Sequence, residues 1–180
     1  MKYIHSLFYC IAAFTGTAQF KSNLTSLSKI DIGLNGLGFT YEPKLGNYTT
    51  MELSAGLGGA YYIAEGTLEY YLNEIGPYFS IQPKFYFNLP KRARKGKSSD
   101  LNAGNYIGAM AKFVGAINGY NTYPGFLYNI HWGMQRSIAR RWTINTRAGI
   151  GYAIDADFLF GTLYPSLDVK FSYVFRKKKI

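Results

Sequence analysis

An imidazole beside a hydroxyl and a carboxylate is a recurrent hydrolytic centre, and His131 with Ser80 or Ser172 supplies its components. Composition alone does not assemble such a triad, which needs a particular geometry. His131 is also the only histidine beyond the N-terminal segment, and Asn129 and Gln135 lie two and four residues from it, at strand spacing on its own face. A hydrogen-bonding role among polar neighbours suits that position better than proton transfer. The chain has one cysteine, Cys10, so thiolate chemistry and zinc ligation lack their usual residues. Gly56-Leu57-Gly58 and Gly149-Ile150-Gly151 fall inside strand-like segments and not at strand-to-helix turns, so neither reads as a phosphate loop. The expectation is a chain with no catalytic residue, no metal and no cofactor. Asn23-Leu24-Thr25 and Asn47-Tyr48-Thr49 match glycosylation sequons.

A second set of ionisable residues has a regular placement. Glu42, Glu52, Lys84, Lys112, Arg147, Asp168 and Lys170 each stand at the polar phase of an alternating segment, as His131 does. Four are positive and three negative. Groups buried together in such near-balance would form ion pairs and hydrogen bonds, because a buried charge without a partner is costly. The reading is a polar network inside a narrow barrel, with a ligand or ion path as the alternative.

The alternation that places these residues runs through most of the chain. Leu167, Val169, Phe171, Tyr173 and Phe175 oppose Ser166, Asp168, Lys170 and Ser172. Trp142, Ile144, Ala148, Ile150 and Tyr152 oppose Thr143, Asn145 and Arg147, and Phe126, Tyr128, Ile130, Trp132 and Met134 oppose Asn129 and His131. The segments 106–113, 78–87, 50–63 and 37–42 behave alike, giving seven strands. In the 50–63 segment the expected apolar face includes Leu57, Tyr61 and Ile63. An eighth strand fits between Lys21 and Leu34, followed by a tight turn at Asn35-Gly36. No helical period emerges. The expected fold is all-β, an eight-stranded antiparallel up-and-down barrel.

The faces differ in kind. One carries Phe, Trp, Tyr, Ile and Leu; the other carries glycines, short polar residues and the ionisable set. A small barrel interior is crowded and favours the second composition, so the apolar face points outward, towards lipid. This predicts a transmembrane barrel, with a secreted lipocalin-like binder as the alternative. Aromatic girdles are expected from Tyr61, Phe79, Phe126, Tyr152 and Tyr164 at one end, and from Phe85, Phe87, Trp132, Trp142 and Phe175 at the other.

Residues 1–18 read as a cleaved signal peptide: Lys2, an apolar stretch from Ile4 to Phe14, then Gly16 and Ala18 before the cut. The barrel domain is then 19–180, with a basic tail at 176–180. The net charge of +10 sorts by end. Connections 63–77, 118–124 and 155–164 carry Glu65, Glu69, Glu74, Asp155 and Asp157, with no Lys or Arg. Lys44, Lys91, Arg92, Arg94, Lys95, Lys97, Arg136, Arg140, Arg141 and Arg176 through Lys179 fall at the opposite end. Outer-membrane barrels turn tightly on the periplasmic side, which assigns the tight connection at 137–140, and the basic rim with it, to the periplasm. The inverted orientation is the alternative. On the periplasmic side the rim Lys91, Arg92, Arg94, Lys95, Lys97, Arg176, Lys177, Lys178 and Lys179 would meet phospholipid headgroups or anionic cell-wall polymer and not nucleic acid. Residues 89–103 would form an unusually long turn on that side.

The chain resembles the small outer-membrane β-barrel proteins common in Bacteroidota, similar in architecture to OmpA-like and OmpX-like barrels. The residues that carry this are Thr17-Ala18-Gln19, Phe39-Thr40-Tyr41-Glu42-Pro43-Lys44-Leu45 leading into Met51-Glu52-Leu53, Gly76-Pro77-Tyr78, Lys84-Phe85-Tyr86-Phe87 and Gly104-Asn105-Tyr106. The basic residues after Phe175 depart from the family's last strand, which ends on an aromatic residue. The resemblance implies an integral protein of the outer membrane of a Gram-negative bacterium, in contact with membrane lipid and lipopolysaccharide. It implies a structural or surface-interaction role, no catalytic residues and no particular protein partner. A narrow conduction barrel and a membrane-embedded lipid-modifying enzyme are the alternatives.

Overall fold

A computed structural model describes residues 24–64, 66–115, 124–157 and 160–178. Period-two alternation favours strands that bury one face, and the strands here are β1 (Ser26–Gly33), β2 (Gly36–Glu42), β3 (Thr49–Ala64), β4 (Thr67–Tyr86), β5 (Gly104–Val114), β6 (Gly125–Ala139), β7 (Trp142–Asp155) and β8 (Gly161–Lys178). Each pairs antiparallel with its sequence neighbour, and β1 pairs with β8 to close the barrel. The eight-stranded up-and-down architecture is thus the one the alternation implies. The signal-peptide segment and Glu65 lie outside the described residues, as does most of the connection at 118–124.

Both described termini lie at one end, together with the connections after β2, β4 and β6. This terminal end is distinct from the hairpin end, where β1–β2, β3–β4, β5–β6 and β7–β8 connect. At the hairpin end, Gly36 with φ 103° and Gly66 with φ 74° supply the left-handed backbone of two tight turns.

The large apolar side chains point outward: Ile150, Leu163 and Leu167 are 74%, 78% and 69% exposed, and Phe39, Phe79, Phe85, Trp132, Trp142 and Phe175 join them. The inside holds the polar residues, Lys29, Thr40, Glu42, Lys84 and Gln135 among them at 1% exposure or less. This inverts the ordinary globular arrangement.

Three expectations are corrected. The loop expected at 63–77 is strand: β3 and β4 continue past the barrel wall as a hairpin, with Ala60, Tyr61, Tyr62 and Ile63 paired to Tyr71, Tyr70, Glu69 and Leu68. A register shift between Gly59 and Ala60 hides this from a strict period. Past the shift the facing along β3 changes as well. Ile63 is 4% exposed and packs with Val114, Leu127 and Ala153, and Tyr61 also turns inward, so neither lies in the outer aromatic belt. Tyr164 turns inward too, hydrogen-bonded to Asn129. Finally, β8 does not stop at Phe175: Arg176, Lys177 and Lys178 pair with Ser28, Leu27 and Ser26 of β1, so most of the expected tail is wall.

The long connection at 89–103 folds onto the terminal end. Helix α1 (Leu89–Arg94) has Pro90 in its first turn, where a missing N–H costs nothing. Leu89 packs with Leu24, Tyr86 and Tyr106 beneath it, and Leu101 packs with Leu27 and Val174. Leu101 and Asn102 have φ of 50° and 58°. Asparagine tolerates this conformation; for leucine it costs about 1–2 kcal/mol, against the burial of its side chain. Asn102 then ties the connection to the start of β1, accepting from Thr25 N and donating to Thr25 O, both at 2.9 Å.

Candidate functional site: the barrel lumen

Alternation within each strand sends one residue in two into the lumen, and the ladder registers decide which of these meet. Lys29 is level with Thr40, Thr40 with Ser54, and Glu52 with Gln82. The first cluster lies in the half nearer the terminal end. Lys29 Nζ donates to Glu42 Oε2 at 2.7 Å and to Glu52 Oε2 at 3.3 Å. Lys84 and Lys170 also pair with Glu52, while Lys170 reaches Asp31 at 3.0 Å and Lys84 reaches Glu42 at 3.7 Å. Hydroxyls complete the coordination. Thr50 donates to Glu42 at 2.9 Å, Tyr86 donates to Glu42 at 3.1 Å, and Thr40 donates to Asp31 at 2.5 Å. Three ammonium groups therefore face three carboxylates, a neutral set that can stay buried.

A second chain of contacts crosses the middle of the lumen. Asp168 Oδ2 pairs with Arg147 Nη2 at 2.9 Å, and Arg147 Nη1 donates to Gln82 Oε1 at 2.6 Å. Gln82 Nε2 lies 3.0 Å from His131 Nε2, and His131 Nδ1 lies 2.7 Å from Asn129 Oδ1. The consistent assignment has the Gln82 amide donating to Nε2 and the Nδ1–H donating to Asn129. Asn129 Nδ2 in turn donates to the Tyr164 hydroxyl at 3.2 Å. Both imidazole nitrogens are engaged by amides, and the hydroxyls of Ser80 and Ser172 are not among their partners. The triad weighed from composition is not assembled here.

Lys112 forms a third group. It donates to Asn35 Oδ1 at 2.8 Å and Tyr61 Oη at 3.3 Å, with its Nζ 4.9 Å from the ring centroids of both Tyr61 and Tyr78. A cavity of about 360 Å³ lies beside it in the half nearer the hairpin end. The lumen is thus packed in one half and hollow in the other, which qualifies the expectation of a fully filled interior.

The chain matches no protein-family model, no curated relative and no solved structure.

All eight expected lumen residues, Glu42, Glu52, Lys84, Lys112, His131, Arg147, Asp168 and Lys170, face the interior, but in three groups and not one. Two central members, Lys29 and Asp31, are absent from the expected set. Their signal is present in Lys29-Ile30-Asp31-Ile32, whose alternation puts both charges on the face opposite the isoleucines. Of the expected basic rim, Lys91, Arg92, Arg94, Lys95 and Lys97 cluster on α1 and the turn that follows it, with Arg92 Nη2 donating to Ser98 O at 2.5 Å. Lys179 lies outside the described residues.

Proposed function

We propose that this chain is an integral outer-membrane β-barrel protein of a Gram-negative bacterium, with a structural or surface-interaction role in the cell envelope. The observation that carries the reading is the inverted distribution of polarity: a closed barrel with a continuous outer belt of Phe, Trp, Ile and Leu and a salt-bridged interior. Soluble monomers rarely expose contiguous apolar patches beyond a few hundred Å². Ring closure satisfies every strand edge, the condition for sheet structure in hydrocarbon. The resemblance to small Bacteroidota barrels and the signal-peptide pattern of residues 1–18 support the same placement.

In this reading the terminal end, with the basic residues of α1, faces the periplasm, and the hairpin end with Glu69 and Asp157 faces outward. The reading includes a barrel that does not conduct, supported by the buried ion-pair cluster in its lumen and by the packing of Leu24, Tyr86, Leu89 and Tyr106 at the terminal end. No catalytic step and no cofactor belong to it.

Membrane fractionation followed by refolding tests this. The expected result is a chain that resists carbonate extraction, folds only in detergent or vesicles, and migrates faster unheated than boiled. A folded monomer soluble in buffer alone would instead support the lipocalin-like reading. Stepwise currents in planar bilayers would overturn the non-conducting assignment.

A further inference from the structure

The charged residues of the lumen differ in whether an opposite charge stands beside them. Lys29, Lys84, Arg147 and Lys170 each pair with a carboxylate; among the described residues of the lumen, Lys112 is the cation that forms no salt bridge. It is 4% exposed, and its partners are an amide oxygen, a hydroxyl and two ring faces. These solvate an ammonium without neutralising it, and a buried charge lacking a counter-charge is costly unless something else answers it.

Three further observations point to what answers it. The cavity beside Lys112, at about 360 Å³, falls within the ~300–1,000 Å³ range of small-molecule sites. Its walls are largely apolar or aromatic, with Leu34, Leu68, Leu127, Tyr70 and Tyr164 around the charged group. Arg147 lines the same space, and its Nε is buried with no hydrogen-bond partner. The β3–β4 hairpin brings Tyr61, Leu68 and Tyr70 to the site. It is held there by the Tyr70 hydroxyl, which donates to Leu34 O at 2.5 Å and accepts from Gly59 N at 3.2 Å.

We propose that this cavity binds a small molecule bearing one carboxylate on an apolar or aromatic body, with the carboxylate on the Lys112 ammonium and the body against Tyr70, Tyr164 and the leucines. A single ammonium with no carboxylate at ion-pair distance suits a monoanion. Asp168 on the same wall, with Glu69 and Asp157 at the same end, disfavours multiply charged ligands such as phosphate. The assignment depends on lumen geometry and not on membrane placement.

The test is calorimetric titration of the folded protein in neutral-detergent micelles with sodium benzoate, benzyl alcohol and sodium phosphate, corrected against protein-free micelles. Benzoate is expected to bind one to one, at least about tenfold tighter than either comparator, the factor that one charge-assisted hydrogen bond supplies. In Lys112→Met, benzoate should fall to the level of benzyl alcohol; in Lys112→Arg the preference should persist. Equal binding of benzoate and benzyl alcohol by the unaltered protein overturns the proposal, with no variant needed. So does a benzoate preference that survives Lys112→Met. Phosphate binding as tight as benzoate overturns the role of the apolar walls. If the chain proves soluble without detergent, the same titration runs in buffer, so failure of the membrane reading and failure of the ligand reading remain separate results.

Discussion

Replacing Glu52 by glutamine keeps the side chain's shape while removing the carboxylate shared by Lys29, Lys84 and Lys170. The cluster would pass from three charges of each sign to three positive against two negative. Breaking a buried ion pair by deleting one partner costs about 3–5 kcal/mol. Here each lysine keeps a second carboxylate, with Lys29 on Glu42 at 2.7 Å, Lys84 on Glu42 at 3.7 Å and Lys170 on Asp31 at 3.0 Å. The expected loss therefore lies at the lower end, about 3 kcal/mol. Urea titration of the vesicle-folded barrel, followed by Trp132 and Trp142 fluorescence and extrapolated linearly, measures it. Lys84→Met added to Glu52→Gln restores charge balance, so the double variant should recover at least about 1 kcal/mol of the single variant's loss. A Glu52→Gln protein within about 0.5 kcal/mol of the unaltered one would show that the cluster is not held by charge, and would refute the reasoning.

Other outcomes follow from the packing. A Cβ at Gly133 would stand 2.2 Å from Tyr106 Cζ, so Gly133→Val must displace a ring whose hydroxyl donates to Asn145 at 2.8 Å; the expected cost is about 1–3 kcal/mol by urea titration. Asn102→Ala leaves Thr25 N and O without their side-chain partner and should cost about 1–3 kcal/mol, with earlier proteolytic cleavage within 89–103 as a second readout. Replacing Lys91, Arg94, Lys95 and Lys97 together by glutamine should leave the urea midpoint within about 0.5 kcal/mol of the original. It should also lower salt-sensitive sedimentation with purified anionic cell-wall polymer, and unchanged sedimentation would remove the headgroup or polymer role from these residues.

How far the molecule could be read from its residues follows from which signals are local. Alternation is local, so the strand count, the outward aromatics and the inward charges were legible from pairs such as Ile150 and Gly151 or Leu167 and Asp168. A register shift is not local. The one beside Gly59 and Ala60 depends on pairing with Ile75 and Tyr71 across the hairpin, and the inward facing of Tyr61 and Ile63 beyond it is invisible to a strict alternation. The capping of the terminal end was also invisible, because Leu89 and Leu101 sit in a segment that otherwise reads as a basic turn. Within the lumen the identities of the charged residues were readable, but not their partition. Only the ladder registers show that Lys170 of β8 meets Glu52 of β3, across the barrel and 118 residues apart in sequence.

The membership of that cluster bears on how the barrel is completed. Glu42, Glu52 and Lys84 come from β2, β3 and β4, consecutive antiparallel strands that can pair through short connections. They hold two carboxylates against one ammonium. Lys29 and Asp31 on β1 add one charge of each sign, so the sheet from β1 to β7 carries one negative charge in excess in this cluster until β8 arrives with Lys170. The β1–β8 ladder joins the two ends of the chain and is the most non-local pairing in the fold, the kind of contact that forms slowly. Lys170 therefore works as a latch: its charge is satisfied only when the last strand is in register, and a barrel closed in a slipped register would leave both it and Asp31 without an ion-pair partner.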